Sequence, residues 1–297
     1  MPEQGLAWLK RDDLLNFEEV ERLLEIFSSL GVRKLRFTGG EPFLRRDFTH
    51  FLKRICERDL FESISITTNG VLTAPHVPLL KSLRIHSVNL SLDTLDAHRF
   101  ETITRRNELS RVMNTLHALI EHDIPTKINA VIMEGVNEED LIPLALLSKE
   151  YPVDVRFIEE MPFNGRDDRH AVKWNCRGLL AALEAGLGTL HRLPDKQAST
   201  SENYSIPGHQ GHVGIIAAWT RSFCGSCNRV RLTPAGQMKT CLYGNHDLDL
   251  RAMLRNGTPA SEIAVNIEKA IEKKAIDGHH AQALRAPATE SMATIGG

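Results

Sequence analysis

Short β-branched runs alternate with amphipathic helical patterns through the first two-thirds of this 297-residue chain, and no other feature limits the fold as much. Asn16 followed by Glu19 reads as a helix-capping box. Phe17, Val20, Leu23, Leu24, Phe27 and Leu30 then keep one apolar stripe, which Gly31 ends. A strand at 33–38 follows. The pattern repeats with helices near 47–58, 77–82, 110–122 and 141–149, leading to strands at 63–68, 86–92, 126–133 and 153–159. Such alternation predicts a parallel sheet with helices on its outer face, barrel-like or doubly wound.

Polar and glycine-rich residues gather just after four of these strands: Gly39-Gly40-Glu41-Pro42, Thr68-Asn69-Gly70, Ser91-Leu92-Asp93 and Glu159-Glu160-Met161-Pro162. In α/β barrels the C-terminal strand ends carry the active site, so four polar ends point to a site there. From about 195 to 211 the chain turns polar, and a domain boundary is placed at 200/201. A β-rich stretch at 212–219 and a last helix at 259–274 follow.

Three of the five cysteines lie in that second part as Cys224-x2-Cys227-x13-Cys241. Two thiolates on one turn and a third a strand later can hold one metal centre with a coordination position left open. His246 is near enough in sequence to complete a zinc site, so spacing leaves zinc and an iron–sulfur cluster both open. Arg229 and Arg231 suggest an anionic ligand beside it. Cys56 and Cys176 fall in helical patterns and read as half-buried packing residues. The 36 basic and 38 acidic residues imply no polyanion-binding surface, hence no nucleic acid. No apolar run reaches membrane-spanning length, and Met1-Pro2-Glu3-Gln4-Gly5 makes no signal peptide. A thiolate site in a cysteine-poor chain points to the reducing cytoplasm.

With Arg36-x-Thr38-Gly39-Gly40-Glu41-Pro42, Thr67-Thr68-Asn69-Gly70, Ser91-Leu92-Asp93-Thr94-Leu95, Lys127-Ile128-Asn129-Ala130-Val131, Arg156-Phe157-Ile158-Glu159-Glu160-Met161-Pro162-Phe163, Cys224-x2-Cys227-Asn228-Arg229-Val230-Arg231 and the final Ile295-Gly296-Gly297 in order, the chain resembles the GTP 3′,8-cyclases. These are radical S-adenosylmethionine (SAM) enzymes of molybdenum cofactor biosynthesis. The resemblance runs over essentially the whole chain. It implies a (βα)6 partial barrel at 1–200 with its first strand missing, and a C-terminal iron–sulfur domain at 201–297. It also implies conversion of GTP and SAM to (8S)-3′,8-cyclo-7,8-dihydroguanosine 5′-triphosphate, a lyase reaction. By resemblance Cys224, Cys227 and Cys241 hold an open-site [4Fe–4S] cluster that takes the guanine base. Arg36, Thr67, Lys127, Arg229, Val230 and Arg231 contact GTP, with Arg156 a further candidate and Gly296 and Gly297 a tail entering the pocket. Gly40, Ser91 and Met161 contact SAM. No side chain is assigned a catalytic role, because the cofactors carry the chemistry.

The family's second [4Fe–4S] cluster, held by C-x3-C-x2-C, precedes Met-Pro-Glu, and the present chain opens on Met1-Pro2-Glu3. The expectation is a start at an internal methionine rather than a decayed copy, and a 297-residue polypeptide that does not cleave SAM. The edge at 33–38 is expected to be unpaired. The expected partners are GTP, SAM and a reductant such as flavodoxin or ferredoxin, with a homodimer left open. The rival readings are a non-catalytic GTP- or cluster-binding remnant and a peptide-modifying radical SAM enzyme.

Overall fold

The computed structural model describes residues 9–161, 173–195, 199–218, 220 and 224–284. In chain order the regular elements are α1 (Phe17–Ser29), β1 (Lys34–Phe37), α2 (Phe48–Glu57), β2 (Ser63–Thr68), α3 (Val77–Ser82), β3 (Ser87–Ser91), α4 (Ala97–Thr104) and α5 (Leu109–Glu121). There follow β4 (Thr126–Ile132), α6 (Leu141–Glu150), β5 (Asp154–Glu159), α7 (Cys176–Leu187), β6 (His191–Arg192), β7 (Glu202–Ser205) and β8 (His212–Ile216). The last are β9 (Arg231–Leu232), β10 (Gln237–Lys239), β11 (Leu248–Asp249), α8 (Leu250–Arg255), α9 (Ala260–Glu272) and α10 (Gly278–Ala283). They divide into two compact units. One takes the described residues from 65 to 227, the other those from 9 to 64 and from 228 to 284.

The first unit is built on a sheet in the order β2-β3-β4-β5-β8-β7-β6. Its first five strands run parallel, and β7 and β6 return antiparallel. A linear order of this kind is an open sheet rather than a closed barrel. The strands pack one face against helices. Leu90, Ile128, Ala130, Ile132, Val155, Phe157, Val213 and Ile215 join Val112 and Leu116 of α5 and Leu144 of α6 in one core. Strand β4 alternates buried and half-buried along its length, the period-two signature of a sheet with two different faces. The polar stretch expected to mark a boundary contains β7, which pairs with β8. Its polar sequence reflects a short strand near the sheet edge. Two helices, α4 and α5, rather than one fill the β3–β4 crossover.

The second unit packs α1, α8 and α9 around Leu15, Leu23, Phe27, Met238, Leu250, Ile263 and Ile267. Its three-stranded sheet runs β11-β10-β9, all antiparallel. Aromatic side chains form a second core here. Phe17 stacks on Phe51 at 4.4 Å between centroids, and Phe37 of β1 meets Phe48 and Phe51 edge-on. Asn16 caps α1 with a complete capping box: its side chain accepts the Glu19 N–H and Glu19 accepts the Asn16 N–H. The carbonyl of Arg33 accepts from the N–H groups of Glu62 and Ser63, and β1 stands at the edge of its strand order among the described residues. The helix expected to be last, at 259–274, is followed by α10.

Candidate functional site

Parallel register puts one set of polar side chains on the face of the first unit's sheet opposite the helices. Thr67, Asn89, Lys127 and Asp154 are successive partners across β2, β3, β4 and β5. Two residues further along, Ser91, Asn129, Arg156 and Gly214 form the next row. Side chains two apart on a strand share a face, so both rows line the same surface. Chemistry-bearing residues on a rigid sheet face, near the C-terminal strand ends, form the candidate site of this unit.

The rows are tied by hydrogen bonds. The Asn89 amide Nδ2 donates to Thr67 Oγ1 at 3.2 Å, and Arg156 Nη2 donates to Asn89 Oδ1 at 2.6 Å. Asn89 is fully buried and Arg156 nearly so. Gly214 makes room for the stem of the Arg156 side chain. A Cβ there would stand 3.1 Å from Arg156 Cγ and 2.8 Å from Asn203 Oδ1. At the row's end Ser91 is exposed, and Lys127 and Met161 are half-buried.

Glu159 ends β5 and is fully buried. It accepts from the Cys176 N–H at 2.6 Å, the Thr220 N–H at 2.7 Å and the Thr220 hydroxyl. Its carboxylate therefore joins β5 to the first turn of α7 and to the segment just before Cys224. That turn, Cys224–Ser226, is 3-10, and the Cys227 N–H donates to the Cys224 carbonyl at 3.1 Å. Both thiols are half-exposed and neither is in a disulfide. Two soft sulfur donors on one tight turn suit iron or zinc.

The second unit carries Arg36, Gly40, Arg229, Val230, Arg231 and Cys241. Arg36 is open to solvent by area, yet its guanidinium is pushed below its ordinary value, by burial first and by the Arg229 charge second. Two cations close enough to repel suit an anion between them. Lys274 Nζ adds a third, donating to the Arg229 carbonyl at 3.0 Å. Gly39, at φ +112°, gives the turn after β1 a conformation that favours glycine, and a Cβ at Gly40 would meet nothing within 4 Å. Cys241 is half-buried.

Burial pushes the thiols of Cys56 and Cys176 up to about 11, helped by neighbouring carboxylates. They are packing residues, as their helical patterns imply. Among the described residues no group of three or more His, Cys, Asp or Glu side chains is gathered as a metal site. Phe163, Gly296 and Gly297 lie outside the described residues. Sequence reading missed Asn89 and gave Glu159 no role of its own. The signal for Asn89 was its parity with Ser91 in an otherwise apolar strand.

Two solved structures share the fold. SuiB of Streptococcus suis bound to S-adenosylmethionine is similar at a TM-score of 0.58 and 16% identity, over 84% of this chain and 61% of that one. Native anSMEcpe with bound AdoMet and Cp18Cys peptide is similar at 0.54 and 14%, over 92% and 76%. Such distant likeness speaks for the fold alone. The sequence matches the Radical SAM superfamily over residues 5–147 and Molybdenum Cofactor Synthesis C over 153–280. The GTP 3′,8-cyclase of Heliobacterium modesticaldum is 36% identical over 94% of this chain and 86% of its own length. The chain belongs to the GTP 3′,8-cyclase family. The mitochondrial GTP 3′,8-cyclase of Arabidopsis thaliana is likewise 36% identical, with 70% of its length covered. Molybdenum cofactor biosynthesis protein 1 of Mus musculus is 39% identical over 92% of this chain, which spans only 43% of that longer protein. For a member of the GTP 3′,8-cyclase family, an open α/β sheet with a polar inner face is the radical SAM fold. No helix among the described residues is long and apolar enough to cross a membrane.

Proposed function

We propose that the protein binds GTP and SAM and serves the GTP 3′,8-cyclase step of molybdenum cofactor biosynthesis. The observation that carries this reading is the likeness to the Heliobacterium modesticaldum GTP 3′,8-cyclase along 86% of that protein. Cys224, Cys227 and Cys241 would hold a [4Fe–4S] cluster. The donor chemistry supports this: Cys224 and Cys227 share one tight turn, and Cys56 and Cys176 are half-buried packing residues with thiols pushed up to about 11. When bound, the cluster and SAM supply the radical chemistry that joins the ribose 3′ carbon of GTP to guanine C8.

The chain's own residues bind, orient and shield. Arg36, Arg229 and Arg231 are the phosphate set, and the Arg229 charge that helps hold the Arg36 guanidinium below its ordinary value supports an anion there. Val230 lends backbone contact between the two arginines. Lys127 and Thr67 address the nucleotide from the sheet face, with Arg156 behind them. Gly40 offers unhindered backbone to the SAM amino group, the exposed Ser91 a hydroxyl to its carboxylate or ribose, and Met161 a thioether to its adenine. The boundary near 200, a cytoplasmic setting, a flavodoxin- or ferredoxin-type reductant and a homodimer belong to the same proposal.

The test is GTP binding by the anaerobically reconstituted protein. Arg229→Ala and Arg231→Ala should each weaken GTP about ten- to hundredfold, the loss of one charge-assisted contact, and leave iron content unchanged. Equal affinity in wild type and both variants would remove these arginines from the site. The 297 residues hold no C-x3-C-x2-C, and a polypeptide of these residues alone is expected to leave SAM intact. Dithionite-dependent release of 5′-deoxyadenosine from it would overturn that expectation.

A further inference from the structure

We infer that Asn89 is a positioning residue that fixes the hydrogen-bond polarity of Thr67, so that Thr67 presents an O–H donor to an acceptor atom of the nucleotide. This rests on the reading of Thr67 as a nucleotide contact. The argument is one of donors and acceptors. A guanidinium has five N–H donors and no acceptor. Arg156 Nη2 therefore takes the carbonyl end of the Asn89 amide, at 2.6 Å. Flipping the amide would aim its N–H2 at a guanidinium, so the orientation is set by chemistry. The N–H2 end must then face Thr67, and it does, at 3.2 Å from Oγ1.

A threonine hydroxyl has one hydrogen and two lone pairs. One lone pair is used by the Asn89 amide, so the hydrogen points elsewhere. The Thr67 hydroxyl has no other hydrogen-bond partner among the described residues. It is half-buried, while Asn89 behind it is fully buried, so the hydroxyl is reachable and its director is not. A buried amide with both ends committed is expensive to reorient, because each lost partner costs the desolvation of that group. The charge on Arg156 is thus relayed through one amide to one hydroxyl. The ligand atom at Thr67 is an acceptor: a carbonyl oxygen, a ring nitrogen or a phosphate oxygen.

The experiment is a double-mutant cycle on GTP affinity in the reconstituted protein. Thr67→Val removes the hydroxyl at constant shape and should weaken GTP about tenfold. Asn89→Asp keeps shape and the Arg156 contact but turns the amide donor into an acceptor. Thr67 would then donate to the carboxylate and be lost to the nucleotide. The new charge could also repel a phosphate, and the cycle separates that effect. The loss caused by Asn89→Asp should be markedly smaller in the Thr67→Val background than in wild type. Asn89→Ser, which removes the amide donor without adding charge, is run in parallel so that a folding failure of Asn89→Asp leaves the cycle intact. It should show the same coupling with iron content unchanged. Equal losses in both backgrounds would overturn the relay while Thr67 keeps its place. No effect of Thr67→Val would instead remove Thr67 from the site.

Discussion

Asp93 shows how a residue's titration follows from where its strand ends. It lies just beyond β3, and its Oδ1 accepts the Val131 N–H at 2.8 Å. Asn137 Nδ2 donates to its backbone carbonyl at the same distance. Burial pushes its carboxyl from 3.8 up to about 6, against the opposing pull of the Val131 hydrogen bond. The native state thus keeps this proton to a higher pH than the unfolded chain does. Protonated Asp93 contributes stability that is complete below about 4 and is lost as pH rises through about 6. Asp93→Asn holds the side chain neutral at every pH. The wild type should therefore gain on the variant as pH falls from 7 to 5, seen as diverging urea midpoints. Parallel midpoints across that range would show that Asp93 does not titrate differently in the fold.

At the scale of elements, α1 joins a local signal to a distant one. The capping box of Asn16 and Glu19 is legible in four consecutive residues because every group in it is local. Asn16→Ala should cost about 1 kcal/mol and lower the melting temperature by about 2–4 °C. An unchanged melting temperature would mean that Glu19 alone holds this end. It has a second anchor, because Arg255 Nε meets its other oxygen at 2.7 Å and holds its carboxyl below the usual range. No local pattern announces Arg255, which lies 236 residues away. The same contrast runs through the fold. The strand at 63–68 and the helix at 77–82 fall where their periodicity places them. Strand β7 does not announce itself, since Glu202, Asn203 and Ser205 carry no apolar alternation and become a strand only by pairing with β8.

For the whole molecule, the proposed cluster at Cys224, Cys227 and Cys241 predicts the iron content. Reconstituted protein should hold about four iron and four sulfide per chain, one cubane, and Cys224→Ala or Cys227→Ala should lose them. Values near eight of each would show a second set of ligands. What the sequence determined by itself was the α/β alternation, the C-x2-C turn and the family motifs. All of these depend on residues close together along the chain, where spacing and side-chain type suffice. What only the tertiary structure decided was how distant strands share a face. The parity of Asn89 with Ser91 could be read from one strand, but the register that sets Arg156 against Asn89, 67 positions on, could not. Nor could the room that Gly214 leaves for the stem of that arginine. Such pairings arise when strands are brought side by side and a buried polar group must find its partner there. Those partners come from the packed sheet and are not encoded in any single window of sequence.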